Sequence, residues 1–308
     1  MKQNRILTIG FPLLAALIWG TAFSAQSMAA DVLGPFTVNA ARSTLAFFAL
    51  GLGLIVFNAV RLRKTGETRK ATAADVKNAL IGGACCGTAL FVAAWLQQAG
   101  LAYTPAGKAG FITALYVVLV PVFGLFLKKR TPATVWLGIA LAVAGLYLLC
   151  IKDGFSVSVG DRYVLLCAVF FAVHILVIDK FTAVVDPVLL SCLQFGVAGV
   201  FSWIAAFLTE TPTLAAIMSR ILPILYVGLL SSAVAYTLQM IAQKYAEPVT
   251  LSLLLSLESV FSVLGGAVLL GERLSPRELA GCAVMFVAVL LAQIPPERIR
   301  ALFSKKSA

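Results

Sequence analysis

Polar and aromatic side chains recur at helical spacing inside several long apolar stretches of the chain. Ser232, Tyr236 and Gln239 are separated by four and then three residues, so that in a helix they lie on one face. Two further sets share this spacing: Trp19, Phe23 and Gln26, and Phe91, Trp95 and Gln98. Converging faces of this kind would form a cavity with aromatic walls and a few hydrogen-bonding groups, which suits a small amphipathic solute.

Serine and threonine side chains supply a further helical face. Ser252, Ser256 and Ser259 have the same spacing, and an internal repeat described below sets Thr113 and Tyr116 opposite positions 256 and 259. Such hydroxyl groups also hold membrane helices together, and Trp and Tyr also collect at membrane interfaces. We favour helix packing for the serines alone. For the aromatic and glutamine side chains, a pathway role and a packing role both remain open.

Three ionisable side chains lie inside apolar stretches, where charge is costly and is usually functional. Glu258 is either a proton-coupling site or, as we favour, a structural acid hydrogen-bonded to Ser262. Arg42 either attracts a substrate carboxylate or, as we expect, extends its head group to the membrane interface. His174, the sole histidine, is expected to be a hydrogen-bonded packing residue rather than a proton carrier.

The sequence contains no set of residues typical of catalysis. It has no metal-ligand cluster, no phosphate-binding loop and no combination of nucleophile, base and acid, so we expect no enzyme activity, cofactor or metal. An intramembrane enzyme would need paired carboxylates or histidines, for which only Glu258 and His174 are candidates. A sensor would be expected to carry an output domain. The six cysteines lack a metal-ligand or disulfide spacing, and we interpret them as small packing residues.

The chain as a whole is too apolar for a soluble protein. Of its 308 residues, 61% are hydrophobic and 12% are charged, and its mean hydropathy is +0.98, whereas a soluble domain is about 25% charged. A membrane-crossing helix needs roughly 20 apolar residues, and the apolar runs here are continuous rather than alternating as in barrel strands. We therefore expect ten transmembrane helices, at residues 6–28, 36–60, 78–99, 106–127, 133–151, 162–179, 187–208, 222–243, 248–270 and 276–294.

The basic residues are distributed as membrane topology requires. The net charge is +11, but the bases are not interleaved with aromatic residues on a soluble face, so we expect the lipid bilayer and not nucleic acid as a partner. If the N-terminus is cytoplasmic, 17 Lys and Arg residues fall in cytoplasmic segments and 5 on the other side. The positive-inside rule then places both termini in the cytoplasm.

The second half of the chain repeats the first. With an offset of 152 residues Pro35 aligns with Pro187, and with an offset of 143 residues Pro105 aligns with Pro248. We therefore expect a first five-helix repeat at residues 1–153 and a second at residues 154–308. Because five is an odd number, the second repeat enters the bilayer from the opposite face. The expected fold is an all-α membrane protein of two inverted repeats, the architecture of alternating-access transporters.

Three segments of the chain resemble a known family of membrane carriers. They are LLAALIWGTAFSAQ near the start, GFITALYVVLVPVFGLFLKKRTP in the first repeat and LSLLLSLESVFSVLGGAVLLGERLSP in the second. Over almost the whole chain they resemble the EamA family of the drug/metabolite transporter superfamily. The resemblance implies a ten-helix carrier, usually in the bacterial inner membrane, that moves small metabolites, often outward. Within the family the chain is most similar to YddG-type exporters, which implies aromatic and other neutral amino acids as cargo.

We therefore expect a secondary transporter that exports small metabolites, above all amino acids including aromatic ones, by alternating access. Because no ATPase motif is present, a gradient would drive it. Export of drugs or sugar phosphates is the alternative, although a sugar-phosphate site needs several buried bases and only Arg42 and Lys108 approach this. The expected substrate-binding residues are Trp19, Phe23, Phe91, Trp95, Gln98, Tyr116, Ser232, Tyr236, Gln239, Ser256 and Ser259, and the candidates for coupling or carboxylate contact are Glu258, Arg42 and His174.

Overall fold

The structure, a computed structural model, describes residues 5–65, 72–128, 131–150, 157–270 and 275–292. Within these ranges the chain is helical and has no strand, as expected where hydrocarbon leaves backbone groups to bond one another. A short helix, Leu214–Ser219, precedes α8. The other helices are α1 (Ile6–Ala30), α2 (Pro35–Thr65), α3 (Ala73–Leu101), α4 (Ala106–Phe126), α5 (Ala133–Cys150), α6 (Val159–Thr182), α7 (Pro187–Thr209), α8 (Ile221–Gln243), α9a (Pro248–Leu255), α9b (Glu258–Leu270) and α10 (Pro276–Ala292).

Seven of the described helices, α1 to α4 and α6 to α8, are long and apolar enough to cross a membrane. Two further helices, α5 and α9, contain shorter apolar stretches at Val135–Leu148 and Pro248–Leu264. The described residues therefore show seven spans by length and composition, whereas the sequence pattern predicts ten.

Large apolar side chains cover the outer surface of the bundle. On α2, Phe48, Ile55 and Phe57 are 67%, 68% and 65% exposed, and Phe207 on α7 is 69% exposed. An exposed apolar surface of this extent is unfavourable in water but is well solvated by lipid tails. The protein is therefore a multi-pass membrane protein, and the bilayer is its solvent.

The helices of the two halves of the chain pack in corresponding pairs. The pairs with the most extensive contact are α2 with α7, α5 with α10, α3 with α6, α3 with α7 and α1 with α9b. If α1 to α5 are exchanged with α6 to α10, this set maps onto other observed pairs, including α1 with α8, α2 with α8 and α4 with α6. Buried apolar side chains form two large clusters, one centred on α4, α5, α9 and α10 and the other on α1, α3, α6 and α8.

One end of the bundle, which we call the Pro35 end because α2 begins there, is held by polar contacts. The carboxylate of Glu210, just past α7, accepts hydrogen bonds of 2.8 Å from two backbone N–H groups in the first turn of α2. It thereby caps a helix from a distant part of the chain. Where α4 and α6 begin, Lys108 forms a salt bridge of 2.7 Å with Asp161. The first and second halves of the chain are thus joined twice at this end.

Glycine permits a close helix crossing between α1 and α9b. A Cβ atom at Gly20 would lie 2.6 Å from the carbonyl oxygen of Glu258 and 2.8 Å from the backbone nitrogen of Ser262. Backbone atoms cannot move aside as a side chain can, so a larger residue would force the two helices apart. Small residues allow this kind of approach in membrane bundles. The crossing positions Glu258 against the middle of α1.

Three membrane helices are irregular in their middle parts. The chain leaves regular α-helix at Leu115 in α4 and at residues 256–257 between α9a and α9b, and α8 is π-helical over Tyr226–Ala235. The offset of 143 residues makes Thr113 and Ser256 counterparts, so the breaks in α4 and α9 lie at nearly equivalent positions. Irregular helices within a membrane usually line a cavity or a functional site.

Candidate functional site

A closed cavity lies where α4 and α9 are broken, between these helices and α1, α2, α3, α6 and α8. Its lining combines aromatic rings, amides, hydroxyls, one basic side chain and one carboxyl group: Trp19, Phe23, Gln26, Arg42, Gln97, Thr113, Tyr116, Phe171, His174, Ile175, Ser231, Tyr236, Gln239, Leu255 and Glu258. All of them except Trp19 are buried. The space open to the centre of a water-sized particle is about 40 Å³, which holds a few water molecules. The structure therefore shows an occluded cavity that must widen to admit a larger solute.

The aromatic wall of the cavity is centred on Tyr236 in α8. The ring centroids of Trp19 and Tyr236 are 4.7 Å apart with the planes tilted by 59°, and Phe195 packs edge-on at 5.6 Å. The Trp19 indole Nε1 donates a 3.0 Å hydrogen bond to the carbonyl oxygen of Ser231 in the π-helical part of α8. These contacts fix the rings in an arrangement that leaves aromatic faces beside the cavity.

Arg42 reaches the cavity from α2. Its Nε donates to Ser232 Oγ at 2.9 Å and its Nη1 donates to Gln26 Oε1 at 3.1 Å, and the side chain is 4% exposed. The structure contradicts the expectation that Arg42 extends to the membrane interface, because α1 and α8 offer it neutral partners inside the bundle. Among the described residues Arg42 forms no salt bridge. A buried guanidinium without a counter-charge is unfavourable and therefore favours an anionic ligand.

Glu258 begins α9b and lines the same cavity. Its carboxylate accepts a 3.3 Å hydrogen bond from the Tyr116 hydroxyl, so the observed partner is Tyr116 and not Ser262, which we expected from helical spacing. The N-terminus of a helix favours negative charge. In the described part of the chain no Lys or Arg forms a salt bridge with Glu258. The cavity therefore holds one basic and one acidic side chain, and the described structure shows no salt bridge between them.

Two further lining residues have polar atoms with no protein partner in the described part of the chain. His174 pairs with Gln194 Oε1 through Nε2 at 2.9 Å, which leaves Nδ1 without a partner. Gln239 donates from Nε2 to Gln243 Oε1 at 3.0 Å, which leaves its own Oε1 without a partner. A buried polar atom left unsatisfied costs about 1–3 kcal/mol. These atoms therefore favour a ligand or water with hydrogen-bonding groups in the cavity.

Both halves of the chain, residues 6–151 and residues 158–293, match the EamA-like transporter family. The chain belongs to the EamA-like transporter family. This agrees with the resemblance found in the sequence motifs, and it makes transport of a small molecule the coarse assignment for the protein.

Similar proteins extend along almost the whole chain. An uncharacterized transporter of Archaeoglobus fulgidus is 32% identical and covers 91% of this chain and 84% of its own length. A WAT1-related chloroplastic protein of Arabidopsis thaliana is 27% identical over 90% of this chain and 67% of its own. The uncharacterized transporter YcxC of Bacillus subtilis is 25% identical over 93% and 92%. A crystal structure with 20% identity superposes with a TM-score of 0.75, covering 95% of this chain and 98% of the other, which shows a shared fold.

The transporter brings together residues from six of the helices that we expected to contribute to the site. The sequence-predicted residues that line the cavity are Trp19, Phe23, Tyr116, Tyr236, Gln239, Arg42, Glu258 and His174. Ser232 stands immediately behind it and accepts from Arg42 while donating to Val227 O at 2.8 Å.

The remaining predicted residues of the transporter lie off the central cavity. Trp95 stacks on Phe36 with 5.3 Å between centroids, and Phe91 belongs to the same aromatic group. Gln98 Nε2 donates to the backbone oxygen of Gln26 at 3.0 Å. Two predicted serines of α9 donate their hydroxyls to backbone carbonyl oxygens: Ser256 to Leu253 at 2.8 Å and Ser259 to Gly110 at 3.2 Å. The Ser259 contact joins α9b to α4, whereas the Ser256 contact lies within α9 itself.

Several residues of the cavity were not among those predicted from the sequence. They are Gln97, Phe171, Ile175, Ser231 and Leu255, whereas Gln26 and Thr113, which also line the cavity, belong to helical faces that the sequence spacing indicated. Gln97 donates to Thr113 Oγ1 at 3.3 Å and so joins α3 to α4. Gln97 shares its helical face with Leu90 and Ala94 rather than with Trp95. The aromatic spacing on α3 therefore indicated the neighbouring face, which carries Trp95.

Proposed function

We propose that this EamA-like protein is a secondary transporter of a bacterial inner membrane that exports amino acids, aromatic ones included, by alternating access. The observation that carries this proposal is that one occluded cavity presents Arg42, Glu258 and aromatic rings together. The similarity of its sequence motifs to the YddG-type exporters points to the same cargo.

An α-amino acid complements the two charges of the cavity. A guanidinium binds a carboxylate through charge-assisted hydrogen bonds, and the carboxylate of Glu258 offers the same interaction to an ammonium group. Arg42 and Glu258 form no salt bridge with described residues, so a bound zwitterion would supply a counter-charge to each. The Trp19 and Tyr236 rings would pack against an aromatic side chain.

Other classes of cargo fit the cavity less well. Among the residues that line the described cavity, Arg42 is the one Lys or Arg side chain, whereas recognition of a phosphorylated sugar usually uses several bases. A purely apolar drug would leave Nδ1 of His174 and Oε1 of Gln239 unsatisfied and would give Arg42 no counter-charge. Amino acids therefore remain the preferred substrate class.

The architecture that we propose has ten membrane helices in two inverted repeats, at residues 1–153 and 154–308, with both termini in the cytoplasm. Support comes from the two family matches, from the corresponding helix pairs of the two halves and from the nearly equivalent breaks in α4 and α9. The distribution of Lys and Arg supports the orientation, which makes the Pro35 end the external one. The occluded cavity then opens alternately to each side, and the Lys108–Asp161 contact belongs to the external closure.

Transport by the purified protein in proteoliposomes tests the cargo. We expect phenylalanine and alanine to exchange across the membrane, and phenylalanine transport to be inhibited far better by aromatic amino acids than by 3-phenylpropionate or phenethylamine, which each lack one charged group. Movement of drugs or sugar phosphates, with no amino acid moved, would show that the cargo assignment is wrong while leaving the family assignment intact.

A further inference from the structure

A second, smaller cavity lies beside Arg42 between α2, α3 and α7. It is walled by Leu90, Phe91, Ala94, Phe195 and Ala198 and carries polar groups from Asn39, Arg42, Ser43 and Ser202. The space open to the centre of a water-sized particle is about 10 Å³, which is roughly what a single water molecule requires. A monatomic ion of similar size fits where an amino acid does not. Arg42 lines both this cavity and the central one.

Polar atoms of the small cavity are buried without a protein partner in the described part of the chain. They are Nδ2 and Oδ1 of Asn39 and Oγ of Ser202, on side chains that are 2% and 1% exposed. Each such atom costs about 1–3 kcal/mol if nothing bonds to it. The amide nitrogen and the hydroxyl are both able to donate, and the Arg42 side chain also lines the cavity. The cavity therefore leaves two donors, the Asn39 amide nitrogen and the Ser202 hydroxyl, without an acceptor, and the Asn39 amide oxygen without a donor.

The charge of Arg42 distinguishes an anion from a water molecule as the occupant. Its observed partners, Gln26 and Ser232, are neutral, and among the described residues no acidic side chain lines the small cavity. A neutral water would satisfy the amide and the hydroxyl but would leave the buried positive charge uncompensated. We propose that the small cavity binds a monatomic anion of the size of chloride, which acts as the counter-ion of Arg42 when the central cavity is empty.

The second half of the chain provides an internal comparison. With the offset of 152 residues, the counterpart of Arg42 is Gln194 and that of Asn39 is Ser191. Gln194 is neutral, and the Ser191 hydroxyl accepts a 2.8 Å hydrogen bond from Thr237. The counterpart positions therefore have neither an unbalanced cation nor an unpartnered hydroxyl. The pairing of a cation with an unpartnered amide at these two positions therefore occurs in the first repeat and not in the second, and Ser191 offers a matched control.

The thermal stability of the purified transporter in detergent, with no organic substrate present, tests this site. The protein is compared in sodium chloride and in sodium gluconate, whose anion is too large for the cavity, at an equal ionic strength of about 0.15 M so that general screening is the same. We expect a saturable rise in melting temperature of roughly 2–5 °C with chloride, since a ligand of the native state stabilises it. Bromide should act in the same way.

Variants of residues that line the small cavity test whether the chloride-dependent rise in melting temperature arises there. Asn39→Leu and Ser202→Ala each remove one hydrogen-bond donor, so the half-saturating chloride concentration should rise about 2- to 13-fold, while Ser191→Ala should leave it unchanged. If these variants do not fold, crystals of the unaltered protein grown in bromide should show an anomalous peak within hydrogen-bonding distance of Arg42.

Three results would overturn the proposal. Equal melting temperatures in chloride and gluconate would mean that the cavity holds water. A stronger response to acetate than to chloride would make it a carboxylate subsite. Bromide found only away from Arg42 would place the anion elsewhere. Because no substrate enters these measurements, a failure of the amino-acid assignment leaves their interpretation unchanged.

Discussion

At the scale of single residues, the central cavity is set apart from ordinary helix packing by its charges. Arg42 and Glu258 line one enclosed space, and each is bonded to neutral groups in the described structure: Arg42 to Gln26 and Ser232, Glu258 to Tyr116. If a cavity residue pairs with a charged group of the substrate, removing the charge of that residue leaves the substrate group uncompensated. Substitutions that keep the shape but remove the charge therefore report on which substrate group each residue holds.

Arg42→Gln and Glu258→Gln should weaken binding of different parts of the substrate. A hydrogen bond to a charged group contributes about 1.5–3 kcal/mol, so each variant should bind phenylalanine about 10- to 150-fold more weakly. Arg42→Gln should leave the binding of phenethylamine, which lacks the carboxylate, unchanged. Glu258→Gln should leave that of 3-phenylpropionate, which lacks the ammonium group, unchanged. Competition against labelled phenylalanine measures all four combinations.

The same variants examine the alternative role of Glu258. If Glu258→Gln binds phenylalanine normally but its transport no longer depends on a pH gradient, Glu258 is a proton-coupling site and not an ammonium contact. If it retains both binding and gradient dependence, Glu258 is a structural acid held by Tyr116.

Tyr236→Ala should change substrate selectivity, whereas Trp95→Ala should lower thermal stability. Tyr236 lines the cavity, so its loss should lower the apparent affinity for aromatic substrates about 2- to 13-fold. This corresponds to the roughly 0.5–1.5 kcal/mol that an aromatic pair contributes, and the affinity for alanine as a substrate should change little. Trp95 instead stacks on Phe36 away from the cavity. Its loss should lower the melting temperature and leave the ratio of phenylalanine to alanine transport unchanged. A selectivity change in Trp95→Ala alone would place the substrate path along α3 instead.

At the scale of helices, the site depends on irregular segments and on close crossings. The breaks in α4 and α9 and the π-helical part of α8 bring Tyr116, Glu258 and Ser231 to one cavity. The crossing at Gly20 presses α1 against the start of α9b, where a Cβ atom would meet backbone. The position of Glu258 is therefore controlled by a residue that does not itself line the cavity.

Gly20→Ala should separate α1 from α9b. Overpacking against backbone costs about 1–3 kcal/mol, which corresponds to a fall in melting temperature of roughly 2–10 °C, and substrate affinity should fall with it. Gly53→Ala is the matched control, because a Cβ atom at Gly53 meets nothing within 4 Å. Thermal unfolding of the two variants in the same detergent compares them, and equal melting temperatures would show that the crossing tolerates a methyl group.

At the scale of the whole molecule, the proposed mechanism requires the two halves to be inverted relative to each other. The helix pairs of the first half have counterparts in the second, and the chain matches its family twice. Two such halves can rock about a shared central site and expose it to one side at a time. The orientation of successive loops is the observable that tests this arrangement.

Reporter fusions should place Lys64, Lys129 and Ser304 in the cytoplasm and Gly154 and Thr213 on the opposite side. The physical reason is the excess of Lys and Arg in the segments assigned to the cytoplasm, 17 against 5. Activity of paired reporters, one active only in the cytoplasm and one only outside it, checks each position. Two successive loops on the same side would be incompatible with the inverted repeats.

The sequence by itself determined the class of protein and its helical, membrane-embedded character. Continuous apolar runs leave the backbone no partner but itself in hydrocarbon, so helices follow from composition and length. The paired motifs of the two halves identified the family, which the comparison with known proteins confirmed. These properties are local or repeated along the chain, and they do not depend on which helix faces which.

Only the tertiary structure decided which helical faces meet. Periodicity shows which side chains share a face but not what that face contacts, so it selected Trp95 on α3 where the packed bundle presents Gln97 to the cavity. Periodicity also wrongly predicted that Arg42 extends to the membrane interface. The neutral partners that hold Arg42 inside the bundle are Gln26 on α1 and Ser232 on α8, and Ser232 is 190 residues away along the chain. A buried charge is located by groups that packing brings to it, and that information is absent from the spacing along any single helix.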